Sequence, residues 1–242
     1  MLRNEKVLSL YIALAASFAV TNVANSSDWD VTQAAIIKTP TLTQTGTSSS
    51  NQAINAIVLN LATDSISAGD QAVVLTGNQT TLTQEGSLSN SVQALNYASA
   101  KNIVDLTQSV SGVQILDMSI NAGSGNVQAL NYASASPSAF GNIHGLAQTV
   151  IGDEVNMVSN VKGNIQAINY ADADSISGDI NQTTNLNRLS HDNAPTIDGK
   201  SEVRVNSITG THHSAVTISQ TILATAVTQN GPGTIVLNYV GE

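Results

Sequence analysis

The chain has 242 residues, a formal net charge of −9, 41 % hydrophobic residues and only 10 % charged ones. That much apolar material excludes wholesale disorder, and the acidic balance excludes nucleic acid as a partner, because a phosphate backbone demands a basic face. Cysteine is absent, so packing and hydrogen bonds alone must hold the fold.

Residues 1–26 read as a secretory signal peptide. Arg3 and Lys6 form a basic start, residues 7–20 (VLSLYIALAASFAV) an apolar core, and small polar residues follow. An apolar run of 14 residues is shorter than the roughly 20 a spanning helix needs. Once the signal is removed, no membrane association is expected. The rest carries 6 Lys+Arg against 16 Asp+Glu, and 6 − 16 gives −10.

Residues 27–187 read as a β-repeat region. The phrase QALNYA occurs at 93–98 and 128–133, QAINYA at 166–171, and a shorter relative, QAINA, at 52–56. Their first residues, 52, 93, 128 and 166, lie 41, 35 and 38 apart. Around each copy, strand formers alternate with polar residues, and Gly, Asn, Asp and Ser punctuate. Predicted strands follow in order at 80–86, 91–100, 103–112, 113–120, 126–135, 143–152, 164–173 and 180–184. Smaller echoes support a register: TLTQ at 41–44 and 81–84, DSIS at 64–67 and 174–177, NQTT at 78–81 and 181–184.

Repetition at this period predicts an all-β solenoid of stacked β-arcs; ordinary strands of a β-sandwich, as in a pilin-like subunit, are the alternative. Each repeat makes either one rung of about 38 residues or two of about 19. The chain has 25 Asn and 15 Gln, and amides stack where charges would repel. Gln93, Gln128 and Gln166 are expected to form one ladder, Asn96, Asn131 and Asn169 a second, Tyr97, Tyr132 and Tyr170 a third. Strict alternation would place Gln93, Leu95, Tyr97 and Ser99 on one face of the strand. Val92, Ala94, Asn96, Ala98 and Ala100 would then share the other.

Residues 188–207 are the most charged stretch and read as a polar loop or a divergent repeat. Residues 208–242 resume strand patterning, with strands at 215–220, 222–229 and 234–240. The last, Thr234, Ile235, Val236, Leu237, Asn238, Tyr239 and Val240, is uncharged and follows Gly231-Pro232-Gly233. It is a candidate subunit–subunit strand, able to pair within its own sheet or to be donated to a neighbouring copy.

No catalytic constellation or cofactor motif is found. His212 and His213 are adjacent and would point to opposite faces of a strand, with no third metal ligand at suitable spacing. His144 and His191 are isolated. No metal and no cofactor is therefore expected, and an enzyme is the least supported reading.

The set Gln93, Asn96, Ala98 and Gln108 resembles the repeat of the curlins, secreted subunits of bacterial biofilm amyloid, in which Gln, Asn-x-Ala and a second Gln recur. So do Gln128, Asn131, Ala133 and Gln148, and Gln166, Asn169, Ala171 and Gln182. The curlin glycine is missing here, Gln and Asn are two residues closer, and the repeat is longer; the likeness covers residues 80–185. It implies a structural subunit, exported by a bacterium to the extracellular space or cell surface, that polymerises with itself as a functional amyloid, pilus-like fibre or biofilm matrix. A dedicated secretion or nucleation partner would belong to such a system. A monomeric cell-surface adhesin that binds a glycan or a surface is the alternative.

Overall fold

The computed structural model describes residues 28–47, 49–59, 63–135, 140–161, 163–193, 202–231 and 234–241. Residues 1–26, expected to be a signal peptide, lie outside them, as do residues 194–201. The described chain is all β, and every strand pairing is parallel.

The strands form successive coils. The first is β1 (Asp28–Ile37), β2 (Thr41–Gly46) and β3 (Asn51–Val58). The second is β4 (Ser65–Leu75), β5 (Gln79–Gly86) and β6 (Val92–Ser99). The third is β7 (Asn102–Ile103), β8 (Leu106–Asn121) and β9 (Val127–Ala135). The fourth is β10 (Asn142–Ile143), β11 (Leu146–Ser159) and β12 (Ile165–Ala173). The fifth has β13 (Ser175–Asn193) and β14 (Glu202–Thr209), and the sixth β15 (His212–Asn230) and β16 (Thr234–Gly241).

Each coil lies directly on the one before. Asp28 pairs with Ser65, Ser65 with Asn102, Asn102 with Asn142, Asn142 with Ser175 and Ser175 with His212. The architecture is thus a β-solenoid with one sequence repeat per rung. The two-rung-per-repeat arrangement does not occur.

A rung has a broad wall and a narrow wall. The ten-stranded sheet is the broad wall, and the six-stranded sheet β3-β6-β9-β12-β14-β16 is the narrow one. The repeated phrase forms the narrow wall. Predicted strands 103–112 and 113–120 fuse into β8, and 215–220 and 222–229 fuse into β15. Gly112 marks the join in β8: its φ of 73° is open to glycine, and a Cβ there would strike the Leu75 carbonyl oxygen. The positions beside it slip register, a β-bulge that bends the wall.

Alternate side chains along the broad-wall strands are mostly apolar and buried, and that face must be covered. Here the two walls cover each other. Val110, Leu116 and Met118 of the broad wall pack on Leu95, Leu130 and Ile168 of the narrow wall. Nearer the corner, Ile103, Ile143 and Ile176 meet Ala98, Ala133 and Ala171. The alanines are small enough for the walls to converge there.

The echoes divide. TLTQ at 41–44 lies on TLTQ at 81–84, residue for residue. The DSIS copies share a column through Ser65 and Ser175. The NQTT copies do not: Gln79 stacks on Ile115, whereas Gln182 stacks on Gln148.

Candidate assembly surface: amide ladders and an open end

The narrow-wall strand departs from strict alternation at one point, the same in every rung. The parallel ladder runs Ala94–Ala129 and then Asn96–Asn131, passing over Leu95. It passes over Ile54, Ile168, Val205 and Leu237 in the same way. Leu95 and Asn96 both face the broad wall: Leu95 joins the core there, and Asn96 Nδ2 donates to the Ser109 carbonyl at 2.9 Å. Tyr97 is thereby turned outward onto Ala94. The expected faces are corrected accordingly. Gln93, Leu95, Asn96 and Ala98 point into the solenoid, while Ala94 and Tyr97 point out of it. The irregularity is legible only in three dimensions, because it costs no residue in the sequence.

This bend gives the asparagine two duties. One N–H satisfies a broad-wall carbonyl and the other reaches the next rung. Asn55 donates to Asn96 Oδ1 at 2.9 Å, Asn96 to Asn131 at 2.9 Å and Asn131 to Asn169 at 2.9 Å. The series continues through Asn206 at 3.0 Å to Asn238 at 3.2 Å. Asn206 belongs to β14, where residues 202–209, which overlap the end of the charged stretch, take the place of the repeated phrase.

Gln128 donates to Gln93 at 2.7 Å and Gln166 to Gln128 at 2.8 Å, with Gln52 below Gln93. That column ends at Val203. The three tyrosine rings stack, with centroids 5.4 Å and then 5.0 Å apart. Burial raises all three phenols, that of Tyr170 to about 12, and the nearby Asp172 carboxylate pushes the same way. Where the next rung has Ser207 in place of tyrosine, the Arg204 guanidinium lies 4.0 Å from the centre of the Tyr239 ring, a cation–π contact.

The longest glutamine ladder contains Gln108, Gln148 and Gln182, the second glutamines of the curlin-like sets, and extends beyond them to Gln33, Gln71 and Gln220, which the sequence reading does not include. It runs up the broad wall through Gln33, Gln71, Gln108, Gln148, Gln182 and Gln220. From Gln71 onward, each donates to the amide oxygen of the rung before, at 2.7–2.8 Å. Each also donates to a narrow-wall carbonyl, as Gln108 does to Tyr132 at 3.1 Å. The available signal was spacing, since these glutamines recur 38, 37, 40, 34 and 38 residues apart. At the corner between walls, Asn126 Oδ1 accepts from the Ser91 backbone and Asn164 Oδ1 from the Asn126 backbone, so turns are stacked as well.

An amide buried without partners would cost about 1–3 kcal/mol. These ladders remove that cost in the interior only. At the last rung the columns stop. β15 and β16 contain no Lys, Arg, Asp or Glu, and Leu223, Val227, Leu237 and Val240 are exposed. An open recess there is lined by Gln220, Ile222, Ala224, Val227, Leu237 and Asn238. The candidate subunit–subunit strand Thr234–Val240 is part of β16. One edge pairs in parallel with β14, and the other borders this open end.

His144 is exposed, with Nδ1 3.1 Å from Ser177 Oγ, and His191 is buried in the fifth rung. His212 and His213 begin β15. Among the described residues no three metal-ligating side chains gather. Compared with known proteins, the chain matches no family model, no curated protein and no solved structure.

Proposed function

We propose that the protein is a structural subunit of an extracellular self-assembling fibre, of the kind found in a biofilm matrix or surface filament. It polymerises by pairing of strand edges. The observation that carries this reading is the uncharged last rung, which exposes Leu223, Val227, Leu237 and Val240 beside an unpaired edge. Soluble solenoids need terminal rungs with a polar outer face, and edge strands are ordinarily guarded by charge or proline. Neither guard stands on β15. The curlin-like glutamine and asparagine pattern and the signal-like residues 1–26 favour the same reading.

The test is negative-stain electron microscopy and fibre diffraction of the purified full chain. Filaments with a meridional spacing of about 4.8 Å are expected, as strands stack along the axis. A monodisperse monomer at high concentration would sink the fibre reading and favour a monomeric surface adhesin.

A further inference from the structure

The two through-running ladders have opposite polarity, and their direction is fixed by chemistry. Each ladder amide faces a backbone carbonyl, which only its NH2 end can satisfy, as in Asn96 on Ser109 and Gln108 on Tyr132. Every asparagine therefore donates towards the later rung, and every broad-wall glutamine towards the earlier one.

At the sixth rung, Asn238 donates to the Gln220 carbonyl and keeps a second N–H directed along the axis, while Gln220 Oε1 is left as an acceptor. At the first rung the pattern is inverted. Gln33 donates to the Ala56 carbonyl and keeps an N–H, while Asn55 offers its Oδ1. The two ends of one molecule are thus donor–acceptor complements in the same register.

The apolar columns agree. Continuing each column past the last rung sets Val31 on Ile218 and Ala35 on Ile222. On the narrow wall it sets Ile57 on Val240. Ile54 falls on Leu237, both at the passed-over position. The Gln52 column, ending in Val203 and Ile235, takes no part. Two sixth rungs set face to face with β15 on β15 and β16 on β16 would oppose Asn238 donors to each other and Gln220 acceptors to each other.

We propose that the partner of the open end is a second copy of this chain, added head to tail in parallel. Gln220 Oε1 accepts from Gln33 Nε2 of the next copy, and Asn238 Nδ2 donates to its Asn55 Oδ1. The fibre is then one uninterrupted, polar solenoid. This rests on the fibre reading above and adds its direction and register.

Thr32 and Ser219 are exposed members of one outward column, so the junction brings them to neighbouring rungs. In-register neighbours about 4.8 Å apart lie within disulfide reach, and the chain has no cysteine to interfere. The full chain is made with Thr32→Cys, with Ser219→Cys and with both, allowed to assemble, oxidised, and run on a non-reducing denaturing gel. The double variant is expected to give a ladder of covalent oligomers, and each single variant only monomer. Dimers from Ser219→Cys alone would show like ends meeting, and would overturn the proposal. Filaments without cross-links in the double variant would overturn it too, leaving the fibre reading intact. Absence of filaments from the unsubstituted chain would overturn both.

Discussion

The third and sixth rungs follow one plan and differ in what lies against them. Both carry the broad-wall glutamine, Gln108 or Gln220, and the narrow-wall asparagine, Asn131 or Asn238. In the third rung Leu130 and Asn131 have no solvent exposure; in the sixth, Leu237 is 40 % exposed. Identical residues therefore hold the molecule together in one place and confront solvent in the other. Stability in a solenoid is a property of neighbours, with each rung supported by those on either side.

The largest break in this comparison is a cavity. Leu130→Ala is expected to cost about 2–5 kcal/mol, because rigid walls cannot close on the gap. Leu237→Ala should change stability by less than about 0.5 kcal/mol, as exposed substitutions usually do. Urea unfolding of the unassembled chain measures both, and equal losses would contradict the difference between the rungs.

A smaller break is a missing ladder member. Asn131→Ala leaves an N–H of Asn96 and Oδ1 of Asn169 without their ladder partners, a loss of about 1–3 kcal/mol for each group stranded. Asn238→Ala strands one ladder member, Asn206, and an exposed contact to the Gln220 carbonyl, both at the open end, and should cost less. Hydrogen exchange resolved by rung would locate the damage at β6, β9 and β12 for the first variant and at β14 for the second.

The smallest effect sharpens the boundary between interior and end. The column Leu82, Met118, Met157 continues as His191 and reaches the open rung as Gln229. Burial lowers the His191 basicity below its usual value of 6.5, and the Asp192 charge offsets this only in part. Neither ring nitrogen has a hydrogen-bond partner. The unfolded chain therefore binds the proton more readily than the folded one. This contribution is fully present above pH 6.5 and is lost as the pH falls below it. Melting temperature should drop between about pH 7 and pH 5, and His191→Met should flatten the imidazole part of that drop. An unchanged profile in the variant would remove His191 as its cause.

Much of the fold was legible because stacked parallel rungs repeat identity as well as polarity. QALNYA at 93–98 and 128–133 lies in register, with Gln, Ala, Asn, Tyr and Ala of one copy each paired with the same residue of the other. Copies that drifted were harder to read. Residues 202–209 keep Asn206 but have Val203, Arg204 and Ser207 where the others have Gln, Ala and Tyr. The NQTT echo misled because four polar residues can match while their columns differ.

The sequence by itself determined that the chain is built of short strands repeating every 35–41 residues, because period, alternation and low charge are set by local residue type. Only the strand pairing decided that each repeat is one rung, and that the rungs stack as a solenoid and not as a sandwich. Only the tertiary structure decided which way each side chain faces and where the ladders run. The step at Leu95–Asn96 turns Tyr97 out and Asn96 in, and a bend of that kind leaves no gap in the chain to be read. The direction of the amide ladders also comes from carbonyls on the opposite wall, many residues away. That direction is what makes the two ends of the molecule different from each other and complementary.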